Sequence, residues 1–163
     1  MTRTIDDSAR VKNATIGESE LREYVTIHDS EVGDDCNIYE RVSVKKSTIG
    51  DSVDVNAGTY VENATVESGV QIGPNSTVVG VTHELTADGM RFRNDVFEEV
   101  VLREGVFVGA GSVVGPGVEI GRKTVVAAGA TVTDDVGSGV VVLGSPPDQR
   151  VVALDEWIGK KSE

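Results

Sequence analysis

His83 is the side chain of this 163-residue chain whose type and setting best suit acid–base work. An imidazole titrates near neutrality, so it can take a proton from a hydroxyl or amine as that group attacks an acyl carbon, with no covalent enzyme intermediate. A histidine in arbitrary surroundings is more often a surface or satisfied polar residue; this one stands at the foot of a loop spanning residues 81 to 99. The tetrahedral oxyanion of such a reaction needs a donor. Asn56 is the candidate, with a solvated turn residue as the competing reading. Glu84 either orients the His83 ring or faces solvent. Cys36 recurs at a small, inward position and reads as a core thiol rather than a nucleophile.

The elements that must hold these groups follow from internal repetition. Val11-Lys-Asn-Ala-Thr-Ile-Gly, Ile27-His-Asp-Ser-Glu-Val-Gly, Val44-Lys-Lys-Ser-Thr-Ile-Gly and Val61-Glu-Asn-Ala-Thr-Val-Glu are four copies of one motif. Within them an apolar residue returns every five or six positions, as at Val32, Ile38, Val44, Ile49, Val55, Val61, Val66, Ile72 and Val78. After residues 81–99 it resumes as a strict six at Leu102, Val108, Val114, Ile120, Val126 and Val132. Four residues after each apolar position stands a small or β-branched residue, and Gly often follows it directly. A helix of period 3.6 cannot keep that register. Short strand, bend, short strand is the alternative: three hexads close one triangular coil, and coils stack about 4.8 Å apart by parallel pairing. The spacing predicts a parallel β-helix of about seven coils over residues 1–147. The loop 81–99 projects from it, rich in Met90, Phe92 and Phe97, and covers a site between protomers. A short helical tail follows in residues 148–163, with Trp157 as a packing anchor.

The same residues carry a family resemblance. Ile72-Gly-Pro-Asn-Ser-Thr-Val-Val-Gly-Val-Thr-His83 resembles, without a gap, the segment leading to the catalytic histidine in the maltose and galactoside acetyltransferase branch of the hexapeptide acyltransferases. Glu84 stands where that branch has Pro, and Leu85 keeps its Leu. The run Gly105 to Thr133 is similar to the second family signature, with Phe107 at a Trp position. Asn56 matches a family Asn when one residue of gap is allowed. The resemblance implies a left-handed helix and acetyl-CoA as acyl donor. It further implies a homotrimer with sites between chains and a small acceptor such as a sugar or nucleotide-sugar. It implies that the donor lies in a groove along Gly109, Ala110, Ala128 and Gly129, with Phe107, Thr133 and Arg150 beside it; small residues suit such a groove because a side chain would fill it. Asp134 and Asp148 depart from the family's basic residues and would repel the donor's phosphates; Arg150, Arg122 or Lys123 could substitute. No metal is expected. The related γ-class carbonic anhydrase needs three zinc-ligating histidines, whereas this chain has only His28 and His83. A non-catalytic β-helical scaffold is the remaining alternative.

Size and charge narrow the field. At 17.2 kDa the chain is one domain, too short for a separate nucleotide-binding unit. Its 27 Asp+Glu against 15 Lys+Arg give a net charge of −12, which argues against nucleic-acid and anionic-membrane partners and would suit concentrated salt. A single cysteine forms no intrachain disulfide, and the first residues lack an apolar signal-peptide core, so a cytoplasmic location is expected.

Overall fold

Val and Ile dominate the recurring apolar positions, and each occupies the inward-facing residue of a strand only two or three residues long. β-branched side chains fit this pleated, half-buried setting. The computed structural model describes residues 1–162 and shows these strands stacked as the three faces of a parallel β-helix. Face one runs upward through Thr4–Ile5, Glu20–Leu21, Asn37–Ile38, Asp54–Val55, Gln71–Ile72, Phe107–Val108, Val125–Val126 and Val140–Leu143. Face two has seven strands, from Arg10–Lys12 to Thr131–Val132, and face three has six, from Thr15–Ile16 to Glu119–Ile120. A parallel bridge from Ile120 to Val136 adds one rung to face three.

The stack makes about eight turns rather than the seven predicted, because Thr4–Ile5 pairs with Glu20–Leu21 and supplies a rung ahead of the first recognisable repeat. Ile5 is 40% exposed at this open end, which is why the rung lacks a conspicuous buried signature. Inside, Leu21, Ile38, Val55, Ile72, Val108, Val126 and Val142 form one column in which no member exceeds 1% exposure. Full burial of a side chain of this size stabilises by about 1.5–3 kcal/mol. The small inward residues close the corners: Thr59 Oγ1 donates to the Gly73 carbonyl at 3.0 Å and Ser112 Oγ to the Ala127 carbonyl at 3.1 Å.

Ile16 to Leu21, a return of five, crosses from face three to face one; the other five-residue returns, Val11 to Ile16, Ile27 to Val32, Val44 to Ile49 and Val61 to Val66, cross the corner between faces two and three, here the second corner. One residue turns it, and Asp29, Lys46 and Asn63 all hold φ 50 there. Above residues 81–99 the same corner is Gly115-Pro116-Gly117, with Gly117 at φ 77, and the spacing becomes six. The predicted loop is itself regular: Val81–Thr86 and Gly89–Phe97 pair as an antiparallel hairpin at the switch between the two corner types.

The tail differs from expectation. Arg150–Ala153, read from sequence as part of the helix, is a strand antiparallel to Val140–Leu143, and the helix spans Leu154–Ser162. Two adjacent β-branched residues, Val151 and Val152, favour pairing to the exposed sheet edge over helix. Asp155 and Glu156 in the first turn and Lys160 and Lys161 in the last complement the helix dipole. The helix packs on both final strands, and Trp157 is half-buried with Lys161 Nζ 5.0 Å from its ring. No helix of the described residues is long and apolar enough to cross a membrane.

Candidate active site

Gly80 occupies the corner position that Asn63 holds one coil below, and there the chain leaves the coil. A Cβ on Gly80 would fall 2.3 Å from the Asn63 carbonyl oxygen and 2.8 Å from that of Glu98, so only glycine permits exit and return at one point. Asn63 Nδ2 and the Glu98 amide both donate to the Gly80 carbonyl, at 2.8 and 2.9 Å, and clamp the hairpin base. Lys46 reaches up from below to place its Nζ 4.7 Å from the Phe97 ring.

On the hairpin His83 lies directly opposite Asp95, with Nδ1 3.2 Å from Asp95 Oδ1. Immediately beyond this pair the register shifts. His83 faces Asp95 but Leu85 faces Met90, so the second strand carries a bulge of residues 91–94 opposite Glu84 alone. Bulges of this kind re-aim neighbouring side chains. Arg93 in the bulge holds φ 60. Glu84 does not orient His83: its carboxylate accepts from Asn94 Nδ2 and lies 3.8 Å from Arg91 Nε, spanning the bulge. Asp95 is the residue missed from sequence. Strand alternation sets Val81, His83 and Leu85 on one face of the hairpin, where the His83 side chain is about half exposed. Leu85, Met90, Phe92 and Phe97 are all exposed, Phe92 at 77%.

The residues assigned to the donor collect elsewhere. Asn56, Gly109, Ala110, Ala128 and Gly129 stack at the first corner, between faces one and two, and Phe107 lies beside them on face one at 41% exposure. The two kinds of glycine here have different causes. A Cβ on Gly109 would meet Ala128 N at 2.5 Å, so its smallness serves the close stacking of coils rather than a groove. Gly129 and Gly111 face open space, with nothing within 4 Å of an added Cβ, and hold φ 75 and 66. With exposed Ala110 and Ala128 they form a shelf of nearly bare backbone on which an extended ligand chain could lie. Thr133 is exposed at the second corner, and Arg150 is exposed at the edge of face one.

Within one chain the structure does not bring these groups together. His83 projects from the second corner, the shelf follows the first, and Asn56 belongs with the shelf. One Asn56 Nδ2 hydrogen is already given to the Ile72 carbonyl at 2.9 Å. Cys36 is fully buried, its Sγ 3.1 Å from the Gly50 carbonyl oxygen, and burial pushes its thiol pKa up. One rung below the strand feeding the hairpin, Tyr60 donates to Glu62; its pKa is pushed up to about 12, first by burial and then by that carboxylate.

Residues 2–96 match the family described as GlmU-like, C-terminal hexapeptide, and residues 99–134 match bacterial transferase hexapeptide (six repeats). Galactoside O-acetyltransferase of Lactococcus lactis is 39% identical over 74 residues, which are 45% of this chain and 36% of the relative; the chain thus spans about a third of that protein. A maltose O-acetyltransferase from Clostridium difficile has a similar structure, with TM-score 0.67 and 22% identity over 77% of this chain and 69% of the other. The N-acyltransferase AntD of Bacillus cereus, a variant in complex with dTDP-4-amino-4,6-dideoxyglucose and coenzyme A, gives TM-score 0.65 and 19% identity over 97% and 84%. Both solved structures share the β-helical fold.

Proposed function

Because the chain belongs to the hexapeptide-repeat family, we propose that it is an acetyltransferase that uses acetyl-CoA to acylate a hydroxyl or amine of a small acceptor, with His83 as the general base. Sugars and nucleotide-sugars are the acceptor class, in keeping with relatives that are galactoside and maltose O-acetyltransferases. The observation that carries the reading is the projection of His83 from the coil on a clamped hairpin, with a carboxylate 3.2 Å from its Nδ1. That leaves Nε2 directed to an acceptor. As the acceptor's oxygen or nitrogen attacks the thioester carbonyl, its proton passes to Nε2; the C–S bond breaks and the thiolate leaves.

The donor would lie along the shelf of Ala110, Gly111, Ala128 and Gly129, with Phe107 against its apolar part and Arg150 toward its phosphates, whereas Thr133, at the second corner, would reach a donor only from a neighbouring copy. Since shelf and hairpin occupy different corners of one prism, a complete site needs the hairpin of one copy beside the shelf of another. A closed homotrimer repeats that contact three times. The exposed Leu85, Met90, Phe92 and Phe97 would be covered in such an assembly. The remaining Asn56 amide hydrogen would serve the oxyanion.

The test is release of free thiol from acetyl-CoA in the presence of a panel of sugar and amino-sugar acceptors. Turnover is expected, falling by about 10²- to 10⁴-fold in His83→Ala. An unchanged rate in that variant removes His83 as the base. One observation favours the scaffold reading: Asp134 and Asp148 are both exposed where a polyphosphate would call for cations. Calorimetric titration with coenzyme A that shows no binding would decide for it.

A further inference from the structure

Resting on the general-base reading of His83, we infer that Asp95 is the positioning residue that holds the imidazole as its Nδ1–H tautomer and keeps Nε2 free to take the proton. The two residues are direct cross-strand partners, and their 3.2 Å separation is within hydrogen-bonding reach. They form the last regular pair before the bulge, so the hairpin's register, rather than side-chain flexibility, sets the contact. The other carboxylates of the hairpin are not available to the ring. Glu84 is held by Asn94 and Arg91, and Asp88 lies in the turn, where its amide donates to Thr86 Oγ1 at 3.3 Å.

A carboxylate only accepts hydrogen bonds, and a neutral imidazole carries one N–H. Asp95 beside Nδ1 therefore draws that single proton to Nδ1 and leaves the Nε2 lone pair outward. When Nε2 takes the acceptor's proton, the ring becomes an imidazolium facing a carboxylate, which stabilises it without itself being protonated. This is the division of labour of a serine-hydrolase triad's last two members, placed on a hairpin.

The experiment pairs kinetics with nitrogen NMR of the imidazoles, with His28→Gln assigning the two histidines. Wild-type His83 is expected to show the Nδ1–H tautomer. Asp95→Asn should move the equilibrium toward Nε2–H and lower kcat, by less than the roughly 10⁴-fold of the buried serine-protease pair because this pair is half exposed, with acceptor KM little changed and hairpin intact. Asp95→Glu should recover part of both. A wild-type ring already in the Nε2–H form, or an Asp95→Asn variant with unaltered tautomer and kcat, overturns the inference while leaving the transferase reading in place. Absence of turnover by the wild type removes the general-base reading, and the role of Asp95 falls with it.

Discussion

Gly109 and Gly129 stand two coil positions apart in type but on the same corner, and the structure demands opposite behaviour when each gains a side chain. Gly109 has ordinary backbone angles, yet its Cβ would sit 2.5 Å from Ala128 N and 2.8 Å from the Val126 carbonyl oxygen, nearly an ångström short of ordinary contact. Both obstacles are backbone, fixed by parallel pairing to the coil above, so Gly109→Ala must pry two coils apart. Overpacking of this kind costs about 1–3 kcal/mol, which for a chain of this size lowers Tm by roughly 3 to 10 °C. Gly129 holds φ 75 with nothing within 4 Å of a Cβ. In the same column Asn75 already occupies a left-handed position, φ 56. Asn tolerates that region, so Gly129→Asn should cost no more than about 1 kcal/mol. Its side chain would still project over the shelf and raise the donor KM. Thermal and urea unfolding followed by far-ultraviolet circular dichroism measures both. A Gly109→Ala protein as stable as the wild type, or a Gly129→Asn protein hurt as badly as Gly109→Ala, would refute the argument from coil stacking.

Cys36, with its thiol buried and its pKa raised by burial, should react with a disulfide reagent only as fast as the coil opens; rapid labelling of folded protein would contradict the core position. Arg103 bridges Glu67 and Glu119 across coils, donating to Glu67 Oε1 at 2.8 Å, and that bond holds the Glu67 carboxyl below its usual value of 4.5. A lowered folded-state pKa means stability present above the unfolded pKa and lost as pH falls through the folded one. Glu67→Gln should therefore be less stable than wild type at pH 7, and the gap should close as the pH falls through the lowered pKa of Glu67 in paired thermal melts. Joining Gly80 to Glu98 removes the hairpin and leaves only Glu98 and Glu99 as extra residues before Val100, which aligns with Ala64 one coil below. The shortened chain should keep its β-sheet dichroism and lose all acyl transfer; loss of folding instead would show that the hairpin supports the coil.

How far the chain could be read in advance depended on which contacts repeat. The parallel fold, the inward residues of the three faces from Ile16 to Val132, the buried Cys36 and the position of the interruption were legible, because each coil contacts its neighbour at a separation of 16 to 18 residues and writes the same pattern again. The five-residue returns were visible too, but only the faces showed that all of them except Ile16 to Leu21 turn one corner. His83 was found by its place at the interruption and by resemblance. Its partner was not: Asp95 is twelve residues away, across a turn and a bulge that no repeat announces, while adjacent Glu84 is drawn off by Asn94 and Arg91. Likewise nothing in the hexads separates Gly109, small for the coil above it, from Gly129, small and facing open space. Periodicity reports what each residue shares with its counterpart one coil away, so the sequence by itself determined the ladder. The hairpin's register and the distribution of residues among corners depend on single, unrepeated pairings, and only the folded chain decided those.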